Sequence, residues 1–159
     1  MANDKLPLTV RGKLKLEDEL KRLVHTERPA VIRAIEEARS HGDISENAEY
    51  EAAKERQSMV EGRISEIQGQ LAGAEVIDPA TIKSEKIVFG ASVELKDLDT
   101  NEEVTYQIVG VDEADVKQGR ISILSPLARS LIGKITSDTV QVKSPKGEKE
   151  FEILKFYFK

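Results

Sequence analysis

The sequence predicts an α+β chain, in which an N-terminal antiparallel coiled-coil hairpin is followed by a domain with an antiparallel sheet and one short helix. Three observations carry this. Apolar residues in the first half recur in steps of four and three. Past Asp78-Pro79 they alternate with polar residues at a period of two. Between the two heptad runs lies a tight acidic turn, Arg39-Ser40-His41-Gly42-Asp43-Ile44-Ser45-Glu46-Asn47-Ala48-Glu49-Tyr50.

The first arm is set by Leu16, Leu20, Leu23, Glu27, Ala30, Ala34 and Ala38, and the second by Ala53, Gln57, Val60, Ile64, Ile67, Leu71 and Ala74. A 4-3 repeat keeps one narrow seam facing a partner helix. Glu, Lys and Arg crowd the flanks, as on the solvated faces of a coiled coil. A short turn between arms of matched length pairs them antiparallel. Each arm of about 30 residues spans roughly 45 Å. Alanine dominates the seam toward the turn, which predicts close helix approach and a slender tip.

At the turn, Arg39 and His41 stand where cations favour a helix C-terminus. Gly42 suits the left-handed residue that ends a helix. Asp43 has the position of an N-cap, with Glu46 at the capping-box spacing. Asp43, Glu46 and Glu49 also form a cluster of hard oxygen donors suited to a divalent cation. Capping and metal binding are compatible, because a cap leaves lone pairs free.

Proline at 79 ends the helical half. Ile87 to Leu95 is expected as a strand with Gly90 marking a bulge, and residues 97–101 as a turn. Val104, Tyr106 and Ile108, then Ile121 and Ile123, alternate as strands. Ser125-Pro126 has the form of an N-cap with proline at the first helical position, opening a short helix that stops at Gly133. Val140 and Val142, the turn Ser144-Pro145-Lys146-Gly147, and Phe151, Ile153 and Phe156 complete the sheet. The expected domains are residues 1–79 and 80–159.

Composition narrows the function classes. The 159 residues carry a formal charge of −5 and a pI near 5.2, so the surface as a whole does not invite nucleic acid. Cysteine is absent, which excludes disulfides, thiolate catalysis and cysteine-based zinc sites. No apolar run follows Met1-Ala2-Asn3-Asp4-Lys5 to act as a signal peptide, and no segment approaches the roughly 20 apolar residues of a membrane helix. A cytoplasmic location and no membrane partner are the expectations.

At this point the residues carry a family resemblance. The strings are Thr9-Val10-Arg11-Gly12, Arg28-Pro29, His41-Gly42-Asp43, Glu46-Asn47-Ala48-Glu49-Tyr50 and Ala52-Ala53 in the first half. In the second they are Ile108-Val109-Gly110, Asp112-Glu113-Ala114-Asp115, Ile121-Ser122, Ser125-Pro126-Leu127-Ala128-Arg129 and Leu131-Ile132-Gly133-Lys134. Nearly end to end, the chain resembles the GreA/GreB family of bacterial transcript-cleavage factors, on the GreA side.

The resemblance implies an FKBP-like C-terminal domain that docks on RNA polymerase at the mouth of its secondary channel. It implies a coiled coil that threads the channel and brings its tip to the polymerase active centre. There Asp43 acts as a metal ligand and Glu46 as a ligand or as positioner of the attacking water. Both serve a Mg²⁺ shared with the polymerase, which the isolated protein does not hold tightly. The polymerase then hydrolyses the backtracked RNA 3′ end and elongation resumes; the chain is not itself an enzyme. Asn47 and Tyr50 match the family tip and steady the RNA end or the turn. Lys54, Arg56 and Arg63 correspond to a basic patch toward the displaced RNA, although Glu51, Glu55 and Glu61 interleave them and solvated i,i+4 pairs are the alternative. Ser125, Pro126 and Arg129 lie where the family meets the polymerase rim; locally, they read as a helix start and a solvated charge. A monomer is expected, since the hairpin satisfies its own seam.

Three other readings differ in what they need. An inhibitory paralogue that blocks the channel carries extra acidic residues at the tip, whereas here Ile44 and Ser45 separate Asp43 from Glu46. A prolyl isomerase of FKBP type needs an aromatic-lined cleft, and this chain has seven aromatics, Tyr 3 and Phe 4. A non-catalytic coiled-coil adaptor needs the tip carboxylates only for folding.

Overall fold

The computed structural model describes residues 6–41 and 47–159. Two compact units emerge. Lys13–Ala74 forms one, and the described part of Met1–Gly12 packs with Glu75–Lys159 in the other. The second unit thus takes in residues 6–12, including the first residues of the first arm, as well as the chain from Glu75 onward.

The chain opens with β1 (Leu6–Thr9), which passes directly into α1 (Val10–Arg22). A five-residue π-turn, Leu23–Glu27, follows, and α2 (Arg28–His41) completes the first arm. α3 (Asn47–Ala72) is the second arm; its 26 residues span about 39 Å.

The π-turn changes the seam. Pro29 has no N–H, and its ring crowds the carbonyl four residues back. The ladder is wider here, and Arg28 N–H reaches the Leu23 carbonyl, the i→i+5 bond of a π-bulge. One extra residue in that turn advances every later position around the helix. Leu16 and Leu23 are buried as expected, but beyond the bulge the buried line is Val31, Ile35 and Ala38 rather than Ala30, Ala34 and Ala38. Ala30 and Ala34 are half-buried. The facing line on α3 is as expected, with Ala53, Val60, Ile64 and Ile67 buried. Val31 and Ile35 also make the seam bulkier toward the turn than a run of alanines.

Cross-arm ion pairs flank the seam. Arg28 donates to Glu61 through Nε and Nη2, both at 2.7 Å. Arg63 donates to Glu19 at 2.7 and 2.8 Å and to Glu66 at 2.9 Å. Hydrogen bonding to Arg63 holds the Glu19 carboxyl below its ordinary value, and hydrogen bonding to Arg28 does the same for Glu61.

β2 (Ala74–Ile77) pairs with β1 in a two-stranded sheet. A larger sheet follows from β3 (Ala91–Asp97), β4 (Glu103–Val109) and β5 (Arg120–Ser122). After the short helix α4 (Pro126–Leu131) it is completed by β6 (Thr139–Ser144) and β7 (Gly147–Phe158). The spatial order is β5-β4-β3-β7-β6. Every pair is antiparallel except β4 with β5. That parallel step needs a crossover, which residues 110–119 provide in two 3₁₀ turns.

The strand expected over Ile87 to Leu95 begins at Ala91 and runs to Asp97. Gly90 sits at φ +92° in the turn ahead of it. Ile87 instead exchanges hydrogen bonds with the segment just after α4, its N–H reaching Lys134 O and its carbonyl accepting from Gly133 N–H. Ile87, Val93, Leu95, Ile108, Leu131 and Ile153 form the centre of the core. α4 lies over it through Ala128 and Leu131.

Candidate functional site

The acidic string spans the sequence between α2 and α3, and its carboxylates Asp43 and Glu46 lie outside the described residues, as does the side chain of Asn47. The frame on either side is described. On α2, Ala38 is buried, Arg39 is exposed, and Ser40 Oγ donates to Glu37 O at 2.7 Å. On α3, Ala53 is buried, and the half-buried Tyr50 has the Arg39 guanidinium 5.9 Å from its ring centroid. This cation–π contact joins the last turn of one arm to the first turn of the other. Tyr50 thus bridges the facing ends of the two arms. Glu49 lies exposed in the first turn of α3. Among the described residues no group of three or more His, Asp or Glu side chains is arranged to hold a metal.

The three basic residues of α3 behave differently. Arg63 is tied to Glu19 and Glu66 and belongs to the hairpin's frame. Arg56 makes a loose contact with Glu27 at 3.5 Å. Lys54 is exposed and has no ion-pair partner among the described residues. The acidic partners of Arg63 and Arg56 include residues of the opposite arm, so simple i,i+4 pairing on α3 does not account for them.

The other candidate residues gather at α4. Ser125 caps the helix, its Oγ accepting from Ala128 N–H at 3.2 Å. Pro126 occupies the first turn, where its missing N–H costs nothing. Pro126 and Arg129 are exposed, while Ala128 and Leu131 anchor the opposite face. Arg129, Ile132, Lys134 and Gln141 line a shallow depression of about 330 Å³. Leu124, Ile132 and Ile135 expose apolar surface on either side of the helix. Sequence alternation offered no signal for this apolar surface, since these residues lie outside helices and strands.

Another cluster went unassigned in the sequence. The Glu113 carboxylate, buried in the second unit, accepts hydrogen bonds from Thr9 and from Gly110. A legible trace existed: Thr9 stands as an N-cap, yet the capping-box position three residues on is Gly12 rather than an acid.

A two-helix hairpin and a small mixed sheet carrying a capped, exposed helix define a two-part fold. The family model described as "Transcription elongation factor, N-terminal" matches residues 6–76, and that described as "Transcription elongation factor, GreA/GreB, C-term" matches residues 82–158. The chain belongs to the GreA/GreB family of transcription elongation factors. It is 60% identical over 151 residues to the transcription elongation factor GreA of Alkalilimnicola ehrlichii, covering 94% of this chain and 96% of that one. The GreA of Acidiphilium cryptum is 58% identical over 154 residues, covering 97% and 98%. Among solved structures, GreA factor homolog 1 of Thermus thermophilus aligns at 26% identity with a TM-score of 0.45, covering 96% of this chain and 99% of that one. Among the described residues no helix is long and apolar enough to cross a membrane.

Proposed function

We propose that this chain stimulates RNA polymerase's own hydrolysis of backtracked nascent RNA, entering the secondary channel with its hairpin and docking at the rim through its second unit. The observation that supports it most is the place of the acidic string, between the two arms of a hairpin closed by its own seam and by cross-arm arginines. Asp43 and Glu46 are the residues that would hold Mg²⁺ there. Mg²⁺ is an octahedral oxygen binder that keeps several waters and takes one or two carboxylates. Two carboxylates fit as a partial donor set, with the remainder coming from the polymerase and the RNA. When bound, the ion supplies charge stabilisation to the oxygens of a phosphodiester displacement.

The chain's own residues then have distinct roles. Asp43 and Glu46 lend oxygen donors, and Glu46 orients the attacking water. Lys54, with no partner among the described residues, and the loosely held Arg56 face the displaced RNA segment, while Arg63 keeps the arms together. Asn47 belongs to the same tip. Ser125, Pro126 and Arg129 form the rim contact, joined by the apolar surface of Leu124, Ile132 and Ile135. The protein works as a monomer in the cytoplasm.

The test is a stalled, backtracked elongation complex with labelled RNA. Adding the protein should release 3′-terminal fragments faster than polymerase alone. An unchanged rate at saturating protein defeats the reading. A rate that falls below that of polymerase alone favours the channel-blocking paralogue.

A further inference from the structure

We propose that Glu113 is the positioning residue for the start of the first arm, completing from 104 residues away the capping box that α1 cannot build for itself. Thr9 caps α1, its Oγ1 accepting from Gly12 N–H at 3.0 Å. In a capping box, the residue at that third helical position returns an acid or amide to the N–H of the cap. Here that residue is glycine and has no side chain to return. Glu113 takes its place. Its Oε2 accepts from Thr9 N–H at 3.0 Å, and its Oε1 accepts the Thr9 hydroxyl.

The same Oε2 accepts from Gly110 N–H at 2.9 Å, capping the 3₁₀ turn Val111–Glu113 to which Glu113 belongs. One carboxylate therefore serves two helix starts, where negative charge also complements the helix dipole. Both glycines are conditions for it. A Cβ on Gly12 would collide with the Glu113 carboxyl group, and a Cβ on Gly110 would lie 2.8 Å from Pro7 O. Thr9 and Glu113 are both buried, so without the carboxylate two backbone N–H groups lose their partner away from water.

Gly12 ends the N-terminal segment that belongs to the unit of Glu113, and Lys13 is the first residue of the other unit. The cap holds the first turn of α1 from Val10 onward within the unit that carries Glu113. If it opens, the first turn of the arm frays at the point where the chain passes from the unit that docks to the unit that carries the tip. This consequence for cleavage rests on the proposed function; the hydrogen-bonded arrangement does not.

The experiment uses the full chain and two readouts. Amide hydrogen exchange comes first. Glu113→Ala should lower protection of the Thr9 and Gly110 amides by roughly tenfold or more, and Glu113→Gln, which keeps an acceptor oxygen, should restore much of it. Gly12→Ala should mimic Glu113→Ala. Unchanged exchange at both amides in Glu113→Ala and Glu113→Gln overturns the proposal, as does a neutral Gly12→Ala. The second readout is RNA cleavage with polymerase. Glu113→Gln should cleave at least as well as Glu113→Ala, and both should lower the rate at saturating protein with half-saturation unchanged. Weakened half-saturation at an unchanged maximal rate overturns the positioning role. Wild-type protein that fails to stimulate cleavage defeats the proposed function instead, and the exchange arm still decides Glu113. If Glu113→Ala does not fold, Glu113→Gln combined with Thr9→Val carries the test. Non-additive loss of protection supports the coupling and additive loss overturns it.

Discussion

Arg28 grips Glu61 across the hairpin with two hydrogen bonds of 2.7 Å, one from Nε and one from Nη2. The arginine sits where the π-turn ends and immediately precedes Pro29. The cross-arm clamp thus stands beside the π-turn that interrupts the helical ladder. A planar guanidinium fork makes this geometry and a lysine ammonium does not. Arg28→Lys should speed amide exchange around the π-turn and around Glu61 while changing the global melting temperature little. Equal exchange in wild type and Arg28→Lys would show that the paired geometry adds nothing to the charge.

The shifted seam gives a sharper comparison, because two isoleucines three residues apart differ in environment. Ile35 is 8% exposed and Ile32 is 41% exposed. Ile35→Ala should destabilise the hairpin by about 2–5 kcal/mol, as large-to-small changes do in a packed core. Ile32→Ala should stay within about 0.5 kcal/mol. Denaturant unfolding followed by circular dichroism measures both. Equal costs would mean that the π-turn does not set the phase of the arm.

Much of this architecture was legible beforehand, and the exceptions have physical causes. Leu16, Leu23, Val60, Ile64 and Ile67 announce the hairpin by period alone. Ser125-Pro126 announces α4 by capping chemistry, and the structure shows that hydrogen bond. The seam past Glu27 was misplaced because a heptad count assumes one helical pitch, and Pro29 imposes another. Ile87 looked like a strand residue because burial, not pairing, makes it apolar. The parallel β4–β5 pair leaves no mark in a period-two pattern. Thr9 and Glu113 each stand in a family-like string, but their contact joins residues that no local pattern connects. Of the candidate site, the α4 residues and Tyr50 acquire geometry here, and the tip carboxylates are known by position.

Acid should loosen the hairpin in a defined window. Glu19 and Glu61 are held below their ordinary value of 4.5 by hydrogen bonds from Arg63 and Arg28. A carboxyl depressed in the folded state contributes its full stabilisation above the unfolded value and loses it as pH falls through the folded value. The melting temperature of the helices should therefore be flat above about 4.5 and decline below it. Both carboxylates are partly solvated, so salt should shrink the effect. The double variant Glu19→Gln, Glu61→Gln should flatten the acid limb. A limb of the same depth in that variant would place the acid sensitivity elsewhere.

Docking and folding separate at α4. Arg129 is exposed and makes no capping contact, whereas Ser125 Oγ holds the helix start. Arg129→Glu should leave the melting temperature within error and weaken half-saturation of polymerase about tenfold, the scale of a lost or reversed charge contact at an interface. Ser125→Ala should instead cost about 1 kcal/mol of stability, while Ser125→Asp keeps the cap. Titration of polymerase with each variant, beside its thermal melt, checks this. Unchanged half-saturation in Arg129→Glu would remove that residue from the rim.

Tip carboxylates that lend oxygens to another molecule's catalytic centre are the core of the proposed activity, and the most direct measurement is RNA cleavage in a backtracked complex with Asp43→Asn and Glu46→Gln. Asparagine caps a helix about as well as aspartate, and glutamine serves in a capping box, so helix content and melting temperature should hold. Cleavage at saturating protein should fall by at least about tenfold in each variant, the scale of lost transition-state charge stabilisation, and raised Mg²⁺ should recover part of it. Full stimulation by both variants at ordinary Mg²⁺ would contradict the account.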